Sequence, residues 1–331
     1  MLFKNAPQRV YVNEVATRDG FQNEDAFVPT VDKIHIIDRL SLAGLAKIEV
    51  TSFVSSKAIP NLRDAADVMA GITRRQGVVY SALVPNRQGA LRALEAKVDE
   101  VNLVMSIGEK HNLANLRMTC AQSFVAFRDI MGVVKGSGVR TMGSVATAFG
   151  CPFEGEQPLS RLLWAVEQYL ELGIQSVDLC DTVGTGHPRM IYTYCRAVKE
   201  AFPDLPVTVH FHDTRGMGLA NVVAALEAGI NSFDTSLGGI GGCPYAPDAT
   251  GNISTEDTVH MLEACGVATG VDLDALIALG RELPALLGHD VPSRLGKVGK
   301  RTDLKPFPAS LEQRGRIEAA PSTEAYRVPS V

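Results

Sequence analysis

No stretch of this 331-residue chain holds the run of about 18 apolar residues that a membrane-spanning helix needs, so no such helix is expected. The first ten residues, MLFKNAPQRV, contain neither the apolar centre of a secretory leader nor an Arg- and Ser-rich amphipathic segment, and no export or organelle address is expected. The six cysteines, at positions 120, 151, 180, 195, 243 and 265, form no Cys-x-x-Cys pair and no short-range framework. This argues against a disulfide scaffold and for reduced thiols in the cytoplasm. Excess charge is also small: 32 basic against 37 acidic residues give a net charge of -5, with no general pull toward nucleic acid or an anionic membrane. An anionic ligand would need local positive groups or a metal ion. What is plentiful is apolar material, 46% against 21% charged residues, enough for a sizeable core in one large or two ordinary domains.

Short apolar runs alternate with longer amphipathic segments. The runs read as strands at Val10–Val15, Lys47–Thr51, Val79–Leu83, Glu100–Val104, Val139–Val145, Ser176–Leu179, Val207–Phe211 and Ser232–Thr235. Helical patterns lie between them, at Val31–Ala43, Leu62–Arg74, Arg87–Ala96, Ala121–Gly136, Leu159–Leu172, Pro188–Ala201 and Gly216–Ala228, with later ones around Asp257–Cys265 and Leu273–Leu287. Ala-Gly or Leu-Gly before a strand, as at Ala43-Gly44, Leu172-Gly173 and Ala228-Gly229, fits helix C-caps leading into β structure. Such alternation predicts parallel βαβ units, and eight of them predict an α/β fold of the (β/α)8 TIM-barrel type with extra C-terminal helices. A doubly wound sheet is the weaker alternative, because no Gly-x-Gly-x-x-Gly follows the first strand. The expected organisation is a catalytic barrel over residues 1–302 and a flexible tail over 303–331, where apolar periodicity has gone.

In a strand, residues i and i+2 share a face. At the end of the apolar run Leu205–Val209, His210 and His212 would therefore present two imidazoles side by side, a suitable pair of metal ligands. Isolated histidines are more often hydrogen-bonded core or surface groups, so the reading depends on what other strand ends supply. After the first strand come Arg18 and Asp19; a carboxylate there suits a hard cation and a guanidinium suits an oxyanion, although such pairs are often solvated. Glu49 stands inside a β-branched run and needs a partner, with Arg18 the natural one, so that orienting Arg18 is its expected role. Asp181 follows the sixth strand as either an active-site carboxylate or a turn residue. After the eighth strand, Gly238-Gly239-Ile240-Gly241-Gly242 can support neither helix nor strand and reads as a mobile loop delivering Cys243. Asn252 offers a neutral oxygen, and Glu256 is either a nearby carboxylate or part of a helix start at Ser254. Two imidazoles, a carboxylate and an amide oxygen suit Mg²⁺ or Mn²⁺, with Zn²⁺ or Co²⁺ also acceptable.

With these residues assembled, the chain resembles the hydroxymethylglutaryl-CoA lyase family, within the wider group of metal-dependent lyases and Claisen synthases built on TIM barrels. The resemblance is carried by Glu14–Glu24, Ile48–Ser55, Phe149–Gly155, Asp181–Gly184, His210–Asp213, Gly238–Ala246 and Gly251–Asp257, in family order from about Arg9 to Leu287. Arg-Asp-Gly and His-x-His are shared across the group, while Gly-Gly-Cys-Pro-Tyr-Ala is the lyase signature. The resemblance implies Asp19, His210, His212 and Asn252 as metal ligands, and Arg18, Glu49, Asp181 and Cys243 as active-site residues. The chain departs from the family at Ala16-Thr17, where Gly-Pro is usual, at Phe21 in place of Leu, and at Phe153 in place of Tyr.

The implied chemistry is retro-Claisen cleavage of 3-hydroxy-3-methylglutaryl-CoA to acetyl-CoA and acetoacetate, with coenzyme A entering as part of the substrate. Asp181 or His212 would take the hydroxyl proton, Arg18 would stabilise the enolate, and Cys243 would protonate the acetyl carbanion. Lys57, Arg87 and Lys297 are basic residues that could meet the nucleotide phosphates, with none singled out. A homodimer in the cytoplasm is the family expectation. The alternatives are a lyase for a related branched 3-hydroxyacyl-CoA, an acetyl-CoA-condensing synthase, which leaves the cysteine loop without a role, and an inactive CoA- or metal-binding regulator.

Overall fold

The computed structural model describes residue 7, residues 9–242 and residues 251–307. Eight strands form: β1 (Tyr11–Glu14), β2 (Lys47–Ser52), β3 (Val79–Leu83), β4 (Glu100–Ser106), β5 (Arg140–Ala146), β6 (Ser176–Asp181), β7 (Val207–Phe211) and β8 (Ser232–Thr235). Neighbours pair in parallel, and β8 pairs with β1 to close the ring in sequence order. The expected (β/α)8 barrel is what forms, and every strand core falls where the apolar runs placed it.

The helices are α1 (Thr30–Leu42), α2 (Ala65–Gly71), α3 (Arg87–Glu95), α4 (Glu109–Leu116), α5 (Cys120–Val134), α6 (Leu159–Glu171), α7 (Pro188–Ala201), α8 (Gly218–Glu227), α9 (Thr255–Ala264), α10 (Leu273–Gly280), α11 (Leu283–Leu287) and α12 (Leu295–Val298). Some of their starts are capped by side chains. The Asn86 side chain accepts from Gly89 N, Thr119 and Gln122 form a reciprocal capping box, and Ser254 accepts from Asp257 N. Three segments differ from the periodicity reading. The Leu62–Arg74 segment is a 3-10 turn at Pro60–Leu62 followed by a helix that stops at Gly71. The Leu273–Leu287 segment breaks in two, with Pro284 in the first turn of α11, where its missing N–H costs nothing. Helix α4 was not foreseen because it buries little; only His111 and Asn112 on it are buried.

Contacts divide the chain into two units, Met1–Val298 with the whole barrel, and Gly299–Val331, described only over residues 299–307. Residues 308–331, most of the segment read as a flexible tail, lie outside the described residues.

The two faces of each strand differ in kind. Outward residues, including Val12, Ile48, Val50, Tyr80, Leu103, Met105, Val145, Val177, Leu179, Val209, Phe211 and Phe233, pack with Ile37, Leu40, Phe124, Phe127, Leu162, Tyr169, Ile191, Val222 and Leu276 of the helices. The alternate positions Asn13, Lys47, Glu49, Glu100, Asn102, Ser144, Asp178, His210 and Asp234 turn into the barrel and hydrogen-bond or ion-pair to one another. Barrels of this type commonly fill that space with branched aliphatic side chains. Here hydrophobic stabilisation comes from the annulus between strands and helices, and the centre is given over to charge.

Candidate active site

The C-terminal ends of the strands bring distant residues together. Directly after β1, Ala16–Gly20 forms a π-helical turn in which Val15 O lies 3.0 Å from Arg18 N and 2.7 Å from Asp19 N. Wide turns of this kind recur at functional sites. This one turns Arg18 and Asp19 inward, where both are buried. His210 and His212 reach the same space from the end of β7. The segment after residue 250 returns between the ends of β7 and β8: Ile253 N donates to Phe211 O at 3.0 Å and Ser236 N donates to Ile253 O at 3.0 Å. That backbone lattice sets Asn252 opposite His212.

Within the cluster, His210 Nε2 and His212 Nε2 are 3.3 Å apart, and each is 4.0 Å from Asp19 Oδ2. One ligand atom from each of Asp19, His210 and His212 falls within 4.8 Å of the others. Asn252 Nδ2 donates to Asp19 Oδ2 at 2.8 Å and to Ile240 O at 3.0 Å, while its buried Oδ1 has no hydrogen-bond partner. Space for this contact depends on Gly241, whose φ is +124°. A Cβ there would stand 2.4 Å from Asn252 Nδ2 and 3.1 Å from Asp19 Oδ2.

Arg18 donates through Nε to Glu49 Oε2 and through Nη1 to Asp19 Oδ1, while Glu49 Oε1 accepts from Asn102 at 3.0 Å. Glu49 thus orients Arg18, as its buried position required. From Asn102 the array continues through Ser144 Oγ, 2.8 Å away, to Asp178 Oδ2, 3.4 Å further on. On the same two strands, β2 and β4, two residues earlier in each, Lys47 pairs with Glu100.

Electrostatics follow from burial and imbalance. Burial works against the Asp19 anion, yet Arg18, the two imidazoles and the Asn252 amide outweigh it and hold its pKa below the usual carboxylate range. Burial pulls His210 down, but the hydrogen bond to Asp234 and the charges of Asp19, Asp178 and Asp234 raise it to about 9. Asp178 is pushed up by burial and by the neighbouring Asp234 carboxylate. With His210 charged as well, the interior sets five carboxylates (Asp19, Glu49, Glu100, Asp178, Asp234) against three cations, Arg18, Lys47 and His210. Such an excess of buried anions is costly unless neutralised. The converging donors, the partnerless Asn252 oxygen and this negative excess all fit a divalent cation held by Asp19, His210, His212 and Asn252.

Asp181 and Glu256, the other expected carboxylates, each bond to backbone amides. Asp181 closes its own turn: Oδ1 accepts from Thr185 N at 2.9 Å and Oδ2 from Gly186 N at 3.0 Å. Burial raises it to about 6, those two amides only partly opposing. Glu256 accepts from Gly238 N at 3.1 Å and so anchors the start of the glycine loop. Cys243 and Gly238–Ala246 beyond Gly242 lie outside the described residues. Lys57, in the turn after β2, and Arg87, the first residue of α3 after β3, are exposed, and Lys297 pairs with Asp290 at 3.3 Å. Sequence reading missed Asn13, Lys47, Glu100, Asn102, Ser144, Asp178 and Asp234. For Lys47 a signal was present in the strict polar alternation of Lys47-Ile-Glu-Val-Thr51.

A family model described as HMGL-like matches residues 9–282. The chain is 42% identical over 294 residues to hydroxymethylglutaryl-CoA lyase YngG of Bacillus subtilis, covering 89% of this chain and 98% of that protein. It is 39% identical, with the same coverage, to a 3-hydroxy-3-isohexenylglutaryl-CoA/hydroxy-methylglutaryl-CoA lyase of Pseudomonas aeruginosa. Among solved structures, an HMG-CoA lyase of Acinetobacter baumannii in complex with coenzyme A and 3-methylmalate superposes with a TM-score of 0.88 and 52% identity, covering 91% of this chain and 98% of that one. By that match, and by a barrel that collects the Arg-Asp, His-x-His and Asn residues at one end, the chain belongs to the HMGL-like family, among the hydroxymethylglutaryl-CoA lyases.

Proposed function

We propose that this enzyme is a divalent-metal-dependent carbon–carbon lyase that cleaves 3-hydroxy-3-methylglutaryl-CoA to acetyl-CoA and acetoacetate. The observation that carries the reading is the convergence of Asp19, His210 and His212 on one point beside the oriented Arg18 guanidinium. A bound Mg²⁺ or Mn²⁺ would supply Lewis acidity to the substrate hydroxyl and a fixed point for its free carboxylate, and Zn²⁺ or Co²⁺ suits the same donors. Asp19, His210, His212 and Asn252 would hold it. Asp181 or His212 accepts the hydroxyl proton as that oxygen becomes the ketone and the adjacent C–C bond breaks. The electron pair moves onto the thioester, and Arg18, with Nε tied to Glu49, turns its remaining N–H donors to the enolate oxygen. Cys243, next in the chain after Gly242, delivers a proton to the nascent methyl carbon.

A related branched 3-hydroxyacyl-CoA is the second reading. It is favoured by the departures at Ala16-Thr17, Phe21 and Phe153 and by the isohexenyl substrate in the name of the Pseudomonas relative. A homodimer in the cytoplasm completes the proposal. The five described cysteines, 120, 151, 180, 195 and 265, are all free thiols, consistent with reducing surroundings. Among the described residues no helix is long and apolar enough to cross a membrane.

The test is a coupled assay for acetyl-CoA release from the methyl and isohexenyl thioesters, with and without chelator. Chelator-sensitive release is expected, faster from the methyl substrate. Release that survives exhaustive metal removal would overturn the metal requirement, and a preference for the longer substrate would select the second reading.

A further inference from the structure

Beneath the four donors the barrel carries a lateral row of side chains that the reaction does not touch. Asn13 of β1, Asp234 of β8 and His210 of β7 are register partners across three adjoining strands, Asn13 with Asp234 and Asp234 with His210. All three are buried and turn inward. Asn13 Nδ2 donates to Asp234 Oδ1 at 2.9 Å and is itself 3.1 Å from Ser232 Oγ. Asp234 Oδ2 lies 3.4 Å from His210 Nδ1, on the side of the ring away from the donor cluster. On the other flank Asp178 is engaged differently: its Oδ2 meets Ser144 and Cys180, and its Oδ1 has no hydrogen-bond partner.

We infer that Asp234 is a positioning residue for the cation: by accepting the Nδ1 proton of His210 it keeps that proton in place and leaves Nε2, aimed at Asp19 and His212, as the nitrogen that gives up its proton when the cation binds. A neutral imidazole has one protonated and one bare nitrogen, and only the bare one can bind a metal ion. On the Nε2 side His212 Nε2, 3.3 Å away, can either donate or accept and so leaves that choice open; Asp234, an acceptor only, settles it, and Asn13 keeps the carboxylate from rotating away. The inference rests on the proposed reading that these donors hold a divalent cation.

Asp234→Asn is the informative variant because it keeps shape while reversing the hydrogen bond. Asn13 Nδ2 already donates to the Oδ1 position, so the new amide must present its oxygen to Asn13 and its NH₂ to His210. Nδ1 then becomes the acceptor and the ring proton moves to Nε2, blocking the donor position, the same logic by which an Asp→Asn change misorients a catalytic histidine.

The experiment titrates Mn²⁺ into chelator-stripped full-length wild type and D234N, following free Mn²⁺ by electron paramagnetic resonance. It also records ¹⁵N-histidine NMR spectra of the Zn²⁺-loaded wild type, with His210→Ala for assignment. Mn²⁺ affinity is expected to fall by about 10- to 100-fold in D234N, the size typical of losing a partner behind a metal ligand. The wild-type spectrum is expected to show His210 protonated at Nδ1. Equal Mn²⁺ affinities overturn the inference while leaving the cation site standing. An Nε2-protonated His210 in the wild type overturns it even where D234N does not fold. Failure of the wild type itself to bind Mn²⁺ overturns the cation reading, and the inference with it.

Discussion

Replacing Glu14 by Gln is expected to remove the pH dependence of stability that this one carboxyl imposes. Glu14 is fully buried between β1, the end of β8 and α9. Its Oε1 accepts from Ala16 N at 2.8 Å and Leu237 N at 2.9 Å, and its Oε2 faces Thr255 Oγ1 at 2.8 Å. Burial raises its pKa from 4.5 to about 8, the two amides and Thr255 opposing in part and the Glu256 charge adding to it. Because the folded value lies above the unfolded one, the stability Glu14 contributes is complete below pH 4.5 and is lost as pH rises through about 8. At about 1.4 kcal/mol per pH unit across that interval, the loss amounts to ~5 kcal/mol. Glutamine suits the same contacts, its oxygen toward the two amides and its NH₂ toward Thr255. Urea unfolding at pH 5, 6.5, 8 and 9 is the assay. The variant is expected to match wild type within about 1 kcal/mol at pH 5 and to exceed it by several kcal/mol at pH 9. Parallel stability curves for the two proteins over that range would refute the argument, placing an ionised Glu14 in the folded state at little cost.

Other outcomes follow from the site. Cys243→Ala is expected to cut turnover sharply while Mn²⁺ affinity is retained, and unchanged turnover would remove the thiol from the proton-donor role. Gly241→Ala places a methyl 2.4 Å from Asn252 Nδ2 at a backbone φ of +124°. The strain, about 1–3 kcal/mol, is expected to appear as weaker Mn²⁺ binding in calorimetric titration. His212→Ala and Asp181→Asn separate the two candidate bases: the first is expected to lose bound metal together with activity, the second to lose activity with metal content intact, both read by elemental analysis beside the acetyl-CoA assay.

Fold and cation donors were legible because each left a local pattern. Outward strand faces gave runs such as Val207–Phe211, and His210 and His212 sit two apart on the strand. Asp19 and Asn252 were legible as oxygen donors, but their pairing was not, since nothing near them in sequence indicates that a π-helical turn and a returning segment set them 2.8 Å apart. The interior row was hidden for a different reason. Asp178 and Asp234 are flanked by Val177, Leu179 and Phe233, and a window that averages hydrophobicity counts such segments as core. Asp181 shows the limit from the other side. The motif marks it, but its two hydrogen bonds are those of a turn residue, and motif membership says nothing of which way a carboxylate faces.

Closure of the ring between β1 and β8 joins residues 11–14 to residues 232–235, contacts separated by most of the polypeptide. The donors straddle that seam, one contributed from just past the first strand and another from residue 252. A chain emerging from the ribosome can pair Arg18 with Glu49 and Lys47 with Glu100 early, but Asp19 and Asn252 meet only when the last strand docks. Long-range closure of this kind is slow and aggregation-prone. A cation held by the proposed donors would bridge both sides of that seam, so its presence during refolding is expected to raise the yield of closed barrel as well as support turnover.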